Sequence, residues 1–387
     1  MIEPFYLLYR TGLAPTNGAS VELSRMLRGV APFAVHLMWD IAEGGSESVG
    51  CTVVADDCNA WRWPFYRGQG VYERFRKRWG LNWWDDGMLN AAKLRRRLHS
   101  FRIRPRRALV KCMTESDASH AIGLWEGLDR PPFVLHIVDI LHDGLSEAET
   151  PNFVRLIQEA NHVVCICDIT AAEATKNGAV STSLLDSSSE FTADDRTPLE
   201  TPLRVVITGS LWKGVYEENL ALEILRAAMP ELRKRFVGIE FHYAGLCSDC
   251  IPGDLRHEIH DHGRLDAAAY RDLLRESHLA YLPISHLGHT VGRYSVPCRL
   301  ADYLACGLPT IACTSPGTGT FSFLQSLPEG IALNVTDPDD LLEAVAHFSG
   351  THQRWADASA RAATYAAKAL CVDTIRTRLF QCLDDYC

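Results

Sequence analysis

The sequence predicts an α/β protein built as two doubly wound parallel-sheet domains in series. Three observations carry this reading. Short apolar runs alternate with helical spacing from Phe5 to Cys167, the rhythm of βαβ units. A polar stretch broken by prolines, residues 186–202, interrupts the rhythm, as interdomain linkers do. The rhythm then restarts at Leu203 and continues to an Ala-rich tail. No short repeat is visible; what recurs is architecture.

Taken in order, Phe5 to Tyr9 is a short apolar strand, and residues 11–20 form a loop by their Gly, Pro and Asn content. Val21 to Leu27 then has helical spacing. Further strands are read at Ala34 to Met38, Cys51 to Ala55, Ala108 to Met113, Phe133 to Val138 and His162 to Cys167. Beyond the linker, Leu203 to Thr208 is a strand, Gly209 to Gly214 a loop and Glu217 to Ala228 a helix. Strands follow at Gly238 to Gly245 and Leu279 to Pro283, with a helix at Ala267 to Glu276. A last strand is read near Gly330 to Leu333, a helix from Asp337 to Phe348, and a helical tail from Trp355 to Asp385. Ligands of such sheets bind beyond the carboxyl ends of the strands, so the loops after strands are where chemistry is expected. With two domains, the cleft between them is the natural site.

The bulk numbers narrow the function class. With 39 basic and 48 acidic side chains the net charge is 39 − 48 = −9, which argues against a polyanion binder. No apolar run approaches the roughly 20 residues of a spanning helix. The N-terminus lacks a basic n-region and a small-residue cleavage site and reads as a first strand, not a signal peptide. Thirteen cysteines in a large chain read this way suggest reduced thiols and a cytoplasmic protein. Cys247 and Cys250 form a C-x-x-C with no second ligand pair spaced for zinc.

The densest stretch runs from Tyr294 to Ala312. Ser295 is expected to cap a helix with Pro297 in its first turn. Arg299 and Asp302 are three apart and share a face; Leu300, Tyr303 and Leu304 take another, suited to packing. Gly307 ends the helix, Pro309 blocks its continuation, and Thr310 to Cys313 is a buried strand. A helix N-terminus with a cation one turn in favours an anion, and an acid beyond can accept from sugar hydroxyls. That is a seat for a nucleotide diphosphate. The competing reading is a surface i,i+3 ion pair of a few tenths of a kcal/mol.

Four stretches carry a resemblance: Val205 to Gly214, Phe241 to Gly245, the run from His262 to Ser285, and the stretch from Tyr294. In order and spacing they resemble GT-B glycosyltransferases, especially the family 4-like retaining group, over most of residues 203–348. In the N-terminal half the match is looser: Asn17-Gly18, His136 to His142 and Cys167-Asp168 fit the acceptor-side landmarks. The resemblance implies two Rossmann-like domains facing across a cleft: an acceptor domain over 1–198, a donor domain over 199–365, and a C-terminal helix over 366–387 packing back toward the first. It implies transfer of a sugar from a UDP-, GDP- or TDP-sugar to a glycan, lipid-linked or small-molecule acceptor, with retention, no metal and no other cofactor. Asp302 takes the place of the acid that binds ribose, Arg299 that of a cation facing the diphosphate, and Lys213 that of the second phosphate cation. Main chain near Gly263 and Arg264 meets the base, Gly209 and Ser295 line the donor site, and Gly18 lets the N-terminal loop approach the phosphate.

Two departures stand out. The family pairs acids eight apart, and eight before Asp302 is Tyr294; the usual Arg after the strand glycine is Ser210. A sugar-nucleotide epimerase or hydrolase of the same fold, or a non-catalytic module binding nucleotide sugar or a partner protein, are the alternatives. Asp139 and His142, just past a strand end, are the candidates for sugar or acceptor contacts and for catalysis. His136 lies inside that strand, where a satisfied core histidine is the competing reading. The aromatic and arginine-rich region 61–107 is either an acceptor region with peripheral contact to anionic lipid at the inner membrane face, or a solvated cationic helix face over packed aromatics. Nucleic acid is not an expected partner.

Overall fold

The computed structural model describes residues 5–9, 18–28, 34–38, 52–55, 106–125, 130–140, 144–193, 197–199, 202–209, 211, 220–246, 250–284 and 291–387. Two compact units divide the chain. Unit one comprises Met1–Ile166, Thr170–Leu185 and Arg376–Cys387; unit two comprises Cys167–Ile169 and Asp186–Ile375.

Unit one is a parallel sheet of β1 (Phe5–Leu8), β2 (Ala34–Met38), β3 (Thr52–Ala55), β4 (Ala108–Cys112), β5 (Phe133–Ile137), β6 (His162–Cys165) and β7 (Thr182–Leu184), in the order β3-β2-β1-β4-β5-β6-β7. Its helices are α1 (Gly18–Leu27), α2 (Glu115–Trp125), α3 (Pro151–Glu159) and α4 (Asp168–Lys176), the last starting in the short segment that groups with unit two. The strands β4, β5 and β6 are buried throughout, as sheets covered on both faces must be. Asp117 accepts the backbone N–H groups of Met113 and Thr114, both at 3.0 Å, and so fixes the turn from β4 into α2.

Unit two is a second parallel sheet, of β8 (Arg204–Thr208), β9 (Glu240–Ala244), β10 (Ile259–Asp261), β11 (Leu279–Pro283), β12 (Thr310–Cys313) and β13 (Ala332–Asn334), ordered β10-β9-β8-β11-β12-β13. Its helices are α5 (Leu220–Arg235), α6 (Gly253–Arg256), α7 (Ala267–Glu276), α8 (Val291–Tyr294), α9 (Cys298–Ala305), α10 (Gly319–Ser326), α11 (Pro338–Ser349) and α12 (His352–Ala369). Side-chain caps set several starts: Asp266 accepts from Ala269 N at 2.9 Å, Asp337 from Asp340 N at 2.8 Å and Thr351 from Arg354 N at 3.1 Å. The core on one sheet face includes Val205, Ile207, Leu225, Phe241, Tyr281 and Phe348. Trp355 closes its end, donating its indole N–H to His278 O at 2.9 Å.

Two expectations are corrected, and a third falls almost wholly outside the described residues. The tail is two helices, α12 and α13 (Val372–Tyr386), broken at Leu370 and Cys371, and the return to unit one begins at Arg376. There Arg376 donates to the carbonyls of Met26 (2.7 Å) and Arg25 (3.0 Å) at the end of α1. The polar stretch 186–202 is not a free linker: Ser187, Ser188 and Ser189 are buried, and Ser189 N–H donates to Leu370 O at 2.9 Å. The basic region 61–107 lies outside the described residues except at its end, where Arg107 is buried and pairs with Asp384 of α13, so that arginine is not part of a lipid-facing surface. Among the described residues no helix is long and apolar enough to cross a membrane.

Candidate donor site in unit two

The sheet order of unit two reverses between β8 and β11. In doubly wound sheets that switch point, beyond the strand carboxyl ends, is where ligands bind. β8 ends there at Gly209, whose φ of +97 favours glycine. The Arg299 guanidinium lies directly against it, and a Cβ at Gly209 would overlap the arginine. Arg299 is in the first turn of α9, and no side chain caps that turn, so the positive helix end and the cation point to one place.

Tyr303, one turn further, ties α9 to the strand end. Thr208 N–H donates to its hydroxyl oxygen at 2.8 Å, and Thr208 Oγ1 lies 2.9 Å from it and 3.3 Å from the Tyr270 hydroxyl. Burial raises both tyrosines above the usual phenol range; Asp302 adds to the rise at Tyr270, and Arg299 opposes it at Tyr303. Asp302 is 3% exposed and accepts from Ser189 Oγ at 2.7 Å. The three strand-end glycines pack in sequence. Gly209 N–H donates to Ala244 O and Gly245 N–H to Gly263 O, both at 2.9 Å, while the Tyr243 hydroxyl donates to Gly209 O at 2.9 Å. A Cβ at Gly245 would overlap Gly209 O. Gly263, with φ +61, has open space where a side chain would be.

Gly209, Arg299, Asp302 and, through Gly245, Gly263 are therefore brought together, with Arg264 exposed beside them. Ser295 is not the helix cap: α9 starts at Cys298 with Pro297 as its N-cap, and the Ser295 carbonyl instead accepts from Thr320 Oγ1 at 2.9 Å. The reason is Pro297 itself, which disfavours helical backbone at the residue before it. Tyr294, where a paired acid was expected, is buried under the Arg293 guanidinium, 5.4 Å from the ring centroid, and its carbonyl accepts from Cys167 Sγ at 3.7 Å. Lys213, Ser210 and His142 lie outside the described residues. In unit one, Gly18 opens α1, and Asp139 is half-buried two residues beyond β5. His136 is fully buried, but neither ring nitrogen has a hydrogen-bond partner among the described residues, so it is a core histidine without the expected satisfaction. Among the described residues no group of three His, Cys, Asp or Glu side chains is arranged to hold a metal ion. Sequence reasoning missed Ser189, Tyr270 and Tyr303. Tyr303 stood out only as a packing residue, Tyr270 only as part of the run from His262 to Ser285, and Ser189 lies 113 positions from its partner.

The comparisons with known proteins bear out the fold. Residues 203–384 match the family model described as glycosyl transferase-like. The whole chain matches solved structures: HepE of Anabaena in complex with UDP-glucose (TM-score 0.65, 14% identity, 100% of each chain covered), and sucrose-phosphate synthase of Thermosynechococcus elongatus (TM-score 0.66, 12% identity, 99% of this chain and 98% of that one). Trehalose-6-phosphate synthase OtsA matches at TM-score 0.64 and 11% identity, with 99% of each chain covered. The fold is GT-B, as in these structures. No curated protein matches in sequence. In this GT-B chain the family match covers every described donor-site residue except Ser189.

Proposed function

We propose that the protein is a glycosyltransferase that takes a UDP-sugar as donor and acts with retention and without a metal. The observation that carries this is the Arg299 guanidinium seated on Gly209 at the switch point of unit two. As the bond from the anomeric carbon to the diphosphate breaks, negative charge builds on the leaving phosphate. A fixed guanidinium and an uncapped helix end stabilise that charge without a metal ion. Lys213 is the second cation in this reading, Asp302 the ribose acceptor, and the Gly263–Arg264 backbone the contact to the base. Gly18, Ser295, Asp139 and His142 would complete the donor and acceptor contacts. HepE is solved with UDP-glucose, and trehalose-6-phosphate synthase is described as transferring with retention; both support the choice of donor and outcome. The acceptor is a glycan, a lipid-linked sugar or a small molecule.

Titration with UDP, GDP and TDP, read by thermal shift and calorimetry, tests it. UDP is expected to bind most tightly. Arg299→Ala is expected to weaken UDP roughly 10- to 100-fold, the range of a lost charge-assisted bond. No stabilisation by any nucleotide at millimolar concentration, or unchanged UDP affinity in the variant, refutes the donor site.

A further inference from the structure

We infer that Ser189 is a positioning residue for the donor site: it holds the Asp302 carboxylate in the orientation that recognises the ribose. The inference rests on the UDP-sugar reading above. Its starting point is a hydroxyl whose roles are fixed. Phe191 N–H donates to Ser189 Oγ at 3.2 Å, so the single hydroxyl proton is directed to Asp302 Oδ1, 2.7 Å away. A bond of that length to a carboxylate is charge-assisted and directional. Both residues are 3% exposed, so the bond between them is shielded from water.

Ser189 is itself anchored. Its N–H is bound to Leu370 O at 2.9 Å, and it forms a parallel bridge with Cys371, at the break between α12 and α13. Two residues on, the Phe191 ring packs on Tyr270 at 5.8 Å between centroids, and the Tyr270 hydroxyl reaches Thr208 Oγ1 at the end of β8. The segment 186–191 thus belongs to the donor site.

The test uses UDP and 2′-deoxy-UDP, because only ribose recognition separates them. Calorimetry on the full chain compares wild type, Ser189→Ala, Ser189→Thr and Asp302→Asn. Wild type is expected to prefer UDP by about tenfold or more, the size of a lost hydrogen bond to a charged group. Ser189→Ala is expected to bring that preference below about threefold, chiefly by weakening UDP, with 2′-deoxy-UDP held within twofold. Ser189→Thr, which keeps the hydroxyl, retains the preference, and Asp302→Asn loses it. If wild type binds neither nucleotide, the donor reading itself fails. If wild type discriminates and Ser189→Ala keeps the full ratio, or weakens both nucleotides in parallel, the Ser189 assignment alone is overturned. Should Ser189→Ala not fold, loss of the preference in Ser189→Thr likewise overturns it.

Discussion

The two sheets share a topology and place their polar side chains differently. In unit one two buried ionisable groups, Lys111 and His136, lie in the middle of strands. Lys111 of β4 and His136 of β5 are register partners; Lys111 is 1% exposed and pairs at 3.1 Å with Glu22 of α1, itself 3% exposed. The Tyr9 ring flanks the ammonium, 5.6 Å from its centroid. In unit two a polar cluster gathers at the carboxyl end of β8, formed by Thr208, Tyr270, Asp302 and Tyr303. A charge in mid-strand can only serve the packing around it. A polar group at a strand's carboxyl end at the switch point can also meet a ligand. The comparison ties the first set to stability, and the second set to the donor site proposed above.

The sharpest way to break this assignment is Lys111→Met. It leaves Glu22 charged in the core, and removing one partner of a buried pair typically costs about 3–5 kcal/mol. The urea midpoint is expected to fall accordingly. Replacing both partners, Lys111→Met with Glu22→Leu, should recover most of the loss, because a buried pair is often no better than well-packed apolar groups. A double variant as unstable as the single one would mean that the pair has a role beyond compensating its own charges.

On the other sheet, Gly245→Ala probes the strand-end packing. Its methyl would press on the Gly209 carbonyl and the Tyr243 hydroxyl, an overpacking of about 1–3 kcal/mol. Because the Arg299 guanidinium rests against Gly209, UDP affinity should drop with it. Gly253→Ala is the control: nothing lies within 4 Å of the added carbon, and both readouts should stay within about 0.5 kcal/mol. Equal behaviour of the two variants would separate the glycine stack from the site.

Much of unit two could be read from residues alone. Ala267–Glu276, Leu279–Pro283 and Thr310–Cys313 fall at the expected bounds, because their apolar patterns are clear in the sequence. Gly307 ends α9 as read: it takes φ +66, with its N–H bound to Leu304 O and that of Leu308 to Tyr303 O. The break at Leu370–Cys371 carries no Gly or Pro, so an Ala-rich tail reads as one helix. β10 is a three-residue edge strand with two exposed polar residues, too short for alternation to show. In the site, Arg299 was legible from its neighbours in sequence. Ser189 was not, since its composition says loop and only the tertiary fold brings it to Asp302.

The smallest expected effect is a pH dependence. Burial lowers the His136 imidazole well below its usual value, and the Lys111 ammonium lowers it further. The folded chain therefore refuses a proton that the unfolded chain, with an ordinary imidazole near 6.5, takes up. The unfolded state binds more protons in this range, so stability rises with pH and is lost as pH falls below about 6.5, with a limiting slope near 1.4 kcal/mol per pH unit for this one group. His162 and His242 are also lowered, chiefly by burial, and keep a slope of their own. His136→Leu should thus flatten the acid limb without abolishing it, read as urea midpoints at pH 8, 6.5 and 5.5. The strand-end tyrosines of unit two are raised instead and stay neutral throughout, so Tyr270→Phe should leave this limb unchanged. A His136→Leu limb as steep as wild type would place the acid sensitivity at groups other than His136 and overturn its part in this contrast.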